Sequence, residues 1–312
     1  MTTDIGSGPA ARGLSWLRLK EYSMLAALLA VPERWRARAF FELRGERSRL
    51  TEQSSYRNMG YWKDDPGSLD EACQALTDLL GEAAGLGPDG TVLDVGCGFA
   101  EQDVRWIERF APRRIVGLDL VPSQVQAGRR RMARLGLSDR VDLRVGSATD
   151  LPFGPDSFDQ VVALECALHF VTRADFFREA RRVLRPGGTL ALVDPVTTGG
   201  GGTGIHSYLE RALGAIPRGN LYSTEVYADK LRECGFADVR IRSLRDEVYG
   251  GFAKYLAHRL EDPEVTGRMN AALRMFWRQW VQAWQATTTD QAVYAGNQDY
   301  ILAVATVPSQ NP

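Results

Sequence analysis

From about residue 90 to residue 193 the chain alternates short apolar runs with segments whose apolar positions recur every three to four residues. Short apolar runs bounded by Gly, Pro or Asp suit strands buried on both faces, and the longer period suits helices lying against them. The pattern predicts strands at "TVLDVG" (91–96), "RIVGLDL" (114–120), "VDLRVG" (141–146), "FDQVVALE" (158–165) and "GGTLALVDP" (187–195). Helices fall between them near 101–110, 122–135 and 173–184. In "PSQVQAGRRRMARLG" both limits are marked, with Pro122 and Ser123 suiting a start and Gly136 a stop. Strands and helices in this alternation make a parallel sheet covered on both faces.

After residue 195 the pattern changes. "TTGGGGTG" (197–204) is a glycine-rich loop, with helical material following to about 235. It lacks the Gly-Lys-Ser/Thr ending of a phosphate-binding loop, so a hinge for a lid is the better reading. His206, just beyond it, is a candidate substrate contact or second base. "ADVRIRSL" (237–244) and "DYILAVATV" (299–307) read as two late strands, which turns the sheet into a mixed one with an antiparallel edge pair. The excursion between them, about 250–288, carries Leu273, Phe276, Trp277, Trp280 and Trp284 at helical spacing. Such a stripe is first of all core. Beside the open end of the sheet it also serves as a wall, which makes Trp277 and Trp280 candidate substrate contacts.

At the other end, residues 14–43 with Trp16, Leu17, Trp35, Phe40 and Phe41 read as two amphipathic helices broken at Pro32. The expected organisation is an N-terminal helical or lid segment over 1–62 and one α/β domain over 63–312. Helical insertions at about 197–235 and 250–288 would cover the substrate site.

Bulk properties narrow the partners. The net charge of −1 over 312 residues gives no reason to expect nucleic acid. The basic runs at 129–134 and 178–185 fall on predicted helices, where a solvated face explains them. The longest apolar run near the N-terminus, 24–31, is far short of the roughly 20 residues that span a bilayer. It also lacks the layout of a secretory signal. Cys73, Cys97, Cys166 and Cys234 are widely spaced with no CxxC pair, so neither a disulfide framework nor a zinc site is expected, and a cytoplasmic location fits. The sequence leaves a homodimer open.

Two stretches carry chemistry. "VLDVGCGFAEQD" (92–103) is a strand ending in Asp94, Gly96, Gly98 and Ala100, then a helix. Glycines let the backbone approach a ligand closely, and the first turn of the helix offers unpaired N–H groups. Alone this turn is a weak signal that NAD proteins share. Asp119 strengthens it, because it ends the second strand, where a carboxylate accepts from both ribose hydroxyls of a nucleoside. "ALECALHF" (163–170) puts Glu165, Cys166 and His169 beyond the fourth strand. A metal site, a Cys–His nucleophile, an isolated base and plain packing are all open for it. A metal would need a second ligand cluster, and His206 and His258 stand alone. A Cys–His hydrolase would need an oxyanion turn, and none is visible beside Cys166. Cys166 is then a small buried hydrophobe. Glu165 orients a cofactor amine or the His169 loop, or meets solvent at the strand end.

The run "LDVGCG", "GLDL", the polar loop in "VGSATDLPFGPDSFDQVVALE" and "RRVLRPGGTLALVD" together resemble the class I S-adenosylmethionine-dependent methyltransferases. The resemblance covers most of 90–307. It implies a Rossmann-like seven-stranded mixed sheet with the last strand antiparallel, helices on both faces and added helical lid segments. It also implies that Gly96, Gly98 and Asp94 meet the methionine part of S-adenosylmethionine. Asp119 and Leu120 would then meet the ribose, and Ser147 and Ala148 the adenine. The family often has an acid where Ser147 stands, so Asp150 or a backbone carbonyl would have to receive the adenine amine. "SSYRNMGYW" (54–62) resembles the segment ahead of the core in small-molecule methyltransferases, which would bring Tyr56 and Trp62, with Glu165, to the cofactor's amino-acid end.

His169 resembles the histidine of sugar O-methyltransferases from natural-product pathways, which pair it with an aspartate at the end of the fifth strand; here that is Asp194. A neutral imidazole accepts a hydroxyl proton near neutral pH, and Asp194 would fix its tautomer or bind the substrate hydroxyl. The expectation is O-methylation of a small, partly apolar acceptor with no metal. Carbon methylation of a terpenoid, polyketide or quinone-like acceptor is the alternative. A non-methylating cyclase or scaffold, and an NAD-dependent dehydrogenase, belong to other classes.

Overall fold

The computed structural model describes residues 30–45, 49–197, 216–267, 269, 271–285 and 298–309. His206, the first of the two N-terminal helices with Trp16 and Leu17, and most of the glycine-rich loop lie outside the described residues.

Seven strands form one sheet in the order β3-β2-β1-β4-β5-β7-β6. They are β1 (Thr91–Val95), β2 (Arg114–Asp119), β3 (Val141–Val145), β4 (Phe158–Leu164), β5 (Leu184–Thr197), β6 (Ala237–Ser243) and β7 (Gln298–Thr306). The first five are parallel, and β7 lies antiparallel between β5 and β6. Each of the seven strands read from the apolar runs is present, and the late antiparallel pair closes the sheet as the pattern predicts.

The chain-ordered helices are α1 (Glu33–Arg44), α2 (Leu69–Ala83), α3 (Glu101–Arg109), α4 (Pro122–Leu135), α5 (Arg173–Val183), α6 (Thr224–Glu233), α7 (Arg245–Arg259), α8 (Pro263–Gly267) and α9 (Ala271–Gln285). α4 starts at Pro122 and stops at a left-handed Gly136, as its sequence limits require. Two apolar layers sandwich the sheet. One gathers Val92, Val162, Ala191 and Val193 with α2, α3, α7 and α9, and the other gathers Leu93, Val161 and Leu192 with α5 and α6.

Two differences from the sequence pattern have local causes. α2 is an addition: Leu69, Ala72, Cys73, Leu76 and Leu80 lie on one buried stripe, and Ser68 caps the start by accepting from the Glu71 N–H. The Pro-Gly-Gly turn is absorbed into β5, which begins at Leu184 rather than at residue 187. There Gly187 is left-handed (φ 78°) and donates to the Val307 carbonyl, while a Cβ on Gly188 would stand 3.0 Å from the Asp159 carbonyl oxygen.

Parallel strands bring their carboxyl ends to one rim. The strand order reverses between β1 and β4, so the glycine turn after β1, Asp119 of β2, the "ECALH" turn after β4 and Asp194 of β5 all stand around that switch point.

Candidate active site

The glycine turn is built by conformation and by crowding. Gly96 is left-handed (φ 80°), and a Cβ there would lie 2.6 Å from the Cys166 Sγ. Its N–H and that of Cys97 both donate to the Leu118 carbonyl, at 2.7 and 3.1 Å. Gly98 (φ 55°) donates to Asp119 Oδ2 at 2.9 Å, and Asp119 Oδ1 accepts from the Val121 N–H at 2.8 Å. The Leu120 N–H also donates to this carboxylate. Burial raises the Asp119 carboxyl, against these bonds and the nearby Arg57. A carboxylate has about four acceptor positions, and with three of them taken Asp119 keeps room for a hydroxyl donor.

Asp94 lies fully buried below the turn. Its Oδ2 accepts from Gln102 Nε2 at 2.9 Å. Asp103, one turn into α3, is equally buried and bonds to the Asp94 carboxyl. Burial and the facing Asp103 hold the Asp94 carboxyl well above its usual range, and burial lifts Asp103 to about 7. The turn therefore fits S-adenosylmethionine: a close backbone approach at Gly96 and Gly98, a carboxylate at the ribose position, and a buried acidic pair directly below the turn. Ser147 bonds its own loop, with Oγ 3.0 Å from Thr149 Oγ1, and Ala148 is buried against Leu118 and Leu151. Asp150 is exposed.

Residues 52–62 cross this rim as a strap held by backbone N–H groups. Asp70 accepts from residues 52, 53 and 54, Glu101 from Ser55 at 2.8 Å, and Glu165 from Met59 at 2.8 Å. Tyr56 is buried with its hydroxyl directed at the Glu101 carbonyl, 3.4 Å away, in the first turn of α3. Trp62 donates from Nε1 to the Met59 carbonyl and packs on Tyr255 and Gly251 of α7. Glu101 and Asp70 carried no signal in the sequence beyond being acidic, because their partners sit on other elements.

Glu165 is half-buried and carries structural bonds. It is left-handed (φ 51°), and its Oε2 accepts from the Met59 N–H and from the Tyr300 hydroxyl, each at 2.8 Å. It thus ties the strap to β7. Cys166 donates to the Val95 carbonyl at 2.9 Å, and burial pushes its thiol well up, so it packs under Gly96 rather than acting as a thiolate. Among the described residues there is no group of three or more metal-ligating side chains.

His169 closes a 3₁₀ turn, Ala167–His169, with its N–H on the Cys166 carbonyl. Its half-buried imidazole meets the edge of Phe41 from α1, centroids 5.0 Å apart at 81°. α1 is further fixed by Glu42 accepting from the Ser123 hydroxyl at 2.7 Å. Asp194 corrects an expectation. Its carboxylate is taken by Arg173 (Nε and Nη2 at 2.8 and 2.7 Å), the Tyr227 hydroxyl at 3.4 Å and the Leu168 N–H at 3.2 Å. It reaches His169 through the backbone next door, not through the ring. Burial lifts Asp194 to about 6 despite Arg173.

Trp277 and Trp280 are buried and pack edge-on against Phe252 of α7, at 5.8 and 5.3 Å. Arg245 lies over Trp284, 5.1 Å from the ring centre. The stripe therefore builds the α7–α9 packing, and that core role is its observed one.

Known proteins agree with this geometry. The family described as "Methyltransferase domain" matches residues 93–192. The erythromycin 3''-O-methyltransferase of Saccharopolyspora erythraea is 41% identical over 251 residues, covering 78% of this chain and 81% of that protein. The 27-O-demethylrifamycin SV methyltransferase of Amycolatopsis mediterranei is 38% identical over 135 residues, 43% of this chain and about half (49%) of the relative. Among solved structures, the [4+2]-cyclase SpnF superposes with a TM-score of 0.65 at 26% identity, covering 81% of this chain and 89% of that one. Geranyl diphosphate C-methyltransferase from Streptomyces coelicolor A3(2) shares the fold, with a TM-score of 0.68 at 18% identity over 89% of this chain and 98% of that one. No helix among the described residues is long and apolar enough to cross a membrane. The chain belongs to the class I S-adenosylmethionine-dependent methyltransferases and, like these relatives, to those of them that take a small molecule as acceptor.

Proposed function

We propose that this enzyme O-methylates a hydroxyl of a partly apolar natural product, with His169 as general base. The observation that carries this reading is the placement of His169. It stands on a short turn at the switch point, beside the glycine turn, with Phe41 over its ring. S-adenosylmethionine supplies a methyl group already activated on a sulfonium, so the protein's tasks are alignment and exclusion of water. Asp119 and the Leu120 backbone receive the ribose, Ser147 and Ala148 the adenine edge, and Asp94 with the strap residues Tyr56 and Trp62 the amino-acid end. Glu165 supports that end by holding the strap. His169 takes the acceptor's proton as oxygen becomes the nucleophile, a contribution of about 10²–10⁴-fold.

Likeness to the erythromycin 3''-O-methyltransferase favours a sugar hydroxyl on a macrolide glycoside as the acceptor. Residues 1–62 and the insertions at 197–235 and 250–288 form the cover over it. Trp277 and Trp280 make the cover's wall, and His206 is a further acceptor contact. Four free thiols suit a cytoplasmic enzyme, and light scattering separates a monomer from a homodimer.

The test is transfer of label from [methyl-³H]S-adenosylmethionine to a panel of macrolide glycosides with free sugar hydroxyls. His169→Ala is expected to lower turnover about 10²-fold or more while cofactor affinity holds. Unchanged turnover removes the base. Asp119→Ala is expected to weaken cofactor binding in a calorimetric titration. The likeness to SpnF keeps a cyclase as second reading, and it is favoured if cofactor binds but no S-adenosylhomocysteine forms with any acceptor.

A further inference from the structure

The peptide groups on both sides of the Leu168 side chain are held by buried partners. Asp194 Oδ1 accepts from the Leu168 N–H at 3.2 Å, while Asn220 Nδ2 donates to the Leu168 carbonyl at 3.1 Å and to the Phe170 carbonyl at 2.7 Å. Leu168 and Phe170 flank His169 in sequence. Arg173 ties the two holders together. Its guanidinium bonds Asp194, the Pro195 carbonyl (2.6 Å) and the Asn220 carbonyl, and its backbone N–H donates to Asn220 Oδ1 at 2.8 Å. Tyr222 and Tyr227 cover the guanidinium, their centroids 5.5 and 5.3 Å from Cζ. Arg173, Asp194 and Asn220 are each no more than 1% exposed.

Such a set is costly to build unless every member is satisfied, and here three of its bonds end on the Leu168 and Phe170 peptides either side of His169. Asn220 comes from the segment between β5 and α6, about 50 residues after His169 in the chain. It has no place in the cofactor turn and no charge. What it does is hold two carbonyls that bracket the imidazole.

We infer that Asn220 is a positioning residue for methyl transfer: with the Arg173–Asp194 pair it fixes the His169 turn from the segment that precedes α6. This rests on His169 acting as the base. A misplacement of about 1 Å in such a group costs on the order of 10²-fold in rate.

The test is Asn220→Asp, which keeps the shape and the acceptor facing the Arg173 N–H but replaces the donor facing two carbonyls with an oxygen. The readouts are kcat with the macrolide glycoside turned over in the panel, calorimetric affinity for S-adenosylmethionine, and ¹H–¹³C spectra of the three histidines, with His169→Ala assigning the peak. The expected result is a fall of about 10²-fold in kcat, cofactor affinity within about twofold, and a His169 peak that moves or broadens while His258 stays. In a His169→Ala background the same substitution is expected to change the residual rate less than about twofold, because the two act as one unit. Wild-type kcat, an unmoved His169 peak, or the full loss repeated in the His169→Ala background would overturn the inference. Turnover unchanged by His169→Ala alone refutes the base itself, a separate result in a separate protein. If the aspartate variant loses its native melting transition, Asn220→Ser leaves room for water beside a smaller hydroxyl and carries the same expectations.

Discussion

Phe41 stands edge-on to His169, 5.0 Å between ring centres, so the helix that covers the rim touches the proposed base directly. Edge-to-face ring pairs contribute roughly 0.5–1.5 kcal/mol beyond their buried area. Phe41→Ala is expected to lower kcat/KM for the acceptor about tenfold, with S-adenosylmethionine affinity retained. Steady-state kinetics with each substrate varied in turn check this; an equal loss in cofactor affinity would mean that α1 serves the cofactor side instead.

Gly96 has two reasons to be glycine. Its φ of 80° is unfavourable to any side chain, and a Cβ would press on Cys166 at 2.6 Å. Gly96→Ala is expected to cost on the order of 1–3 kcal/mol, seen as weaker S-adenosylmethionine binding and a lower melting temperature. Adding Cys166→Ala removes the sulfur but keeps a Cβ that would stand at 2.7 Å, so it is expected to recover little of either loss. Wild-type affinity in the single variant would remove the turn from the cofactor site.

The Asp94–Asp103 pair makes stability depend on pH. The Asp103 carboxyl is held at about 7, above its ordinary value, so the folded protein keeps a proton that the unfolded chain gives up near pH 4. The stabilisation from that proton is full below about pH 4 and is lost as pH rises through about 7. Urea unfolding between pH 5 and 8 is expected to show falling stability, and Asp103→Asn to flatten it, since the amide donates to Asp94 at any pH. An identical slope in the variant would assign the titration elsewhere.

Arg173 and Asp194 are a buried pair whose halves depend on each other. Arg173→Met is expected to destabilise by about 3–5 kcal/mol, because it leaves the carboxylate buried without its charge partner. Arg173→Met with Asp194→Leu is expected to recover a good part of that loss while activity stays low, since the Leu168 N–H then lacks its acceptor. Urea midpoints and turnover on both proteins decide it.

The strands were legible because each apolar run lies between Gly, Pro or Asp and is too short for a helix, so period and length agree. Asp94, Gly96 and Asp119 were legible because local spacing puts them at strand ends. Asp194 was legible as a rim residue but not as an ion-pair member. Arg173 sits 21 positions earlier, on a helix beginning with a capping Thr172, and nothing in "TRADFF" says its side chain turns under the sheet. Glu165 is similar: its partners, Met59 and Tyr300, are more than 100 residues away on either side. α2 could have been read from its stripe and the Ser68 cap, both local. The Trp277 and Trp280 stripe shows the limit of periodicity, which finds the buried face but not whether protein or substrate covers it.

The strap over residues 52–62 is gripped by peptide N–H groups: those of residues 52–55, 59, 61 and 62 are received by carboxylates or carbonyls rooted elsewhere in the fold. A grip on the main chain is blind to side-chain identity. Residues at the free faces of the strap can therefore change with the acceptor while the strap stays docked, and proline at 55 or 59 is the substitution that releases it. Selection can rewrite what this edge of the site recognises without rebuilding what holds it.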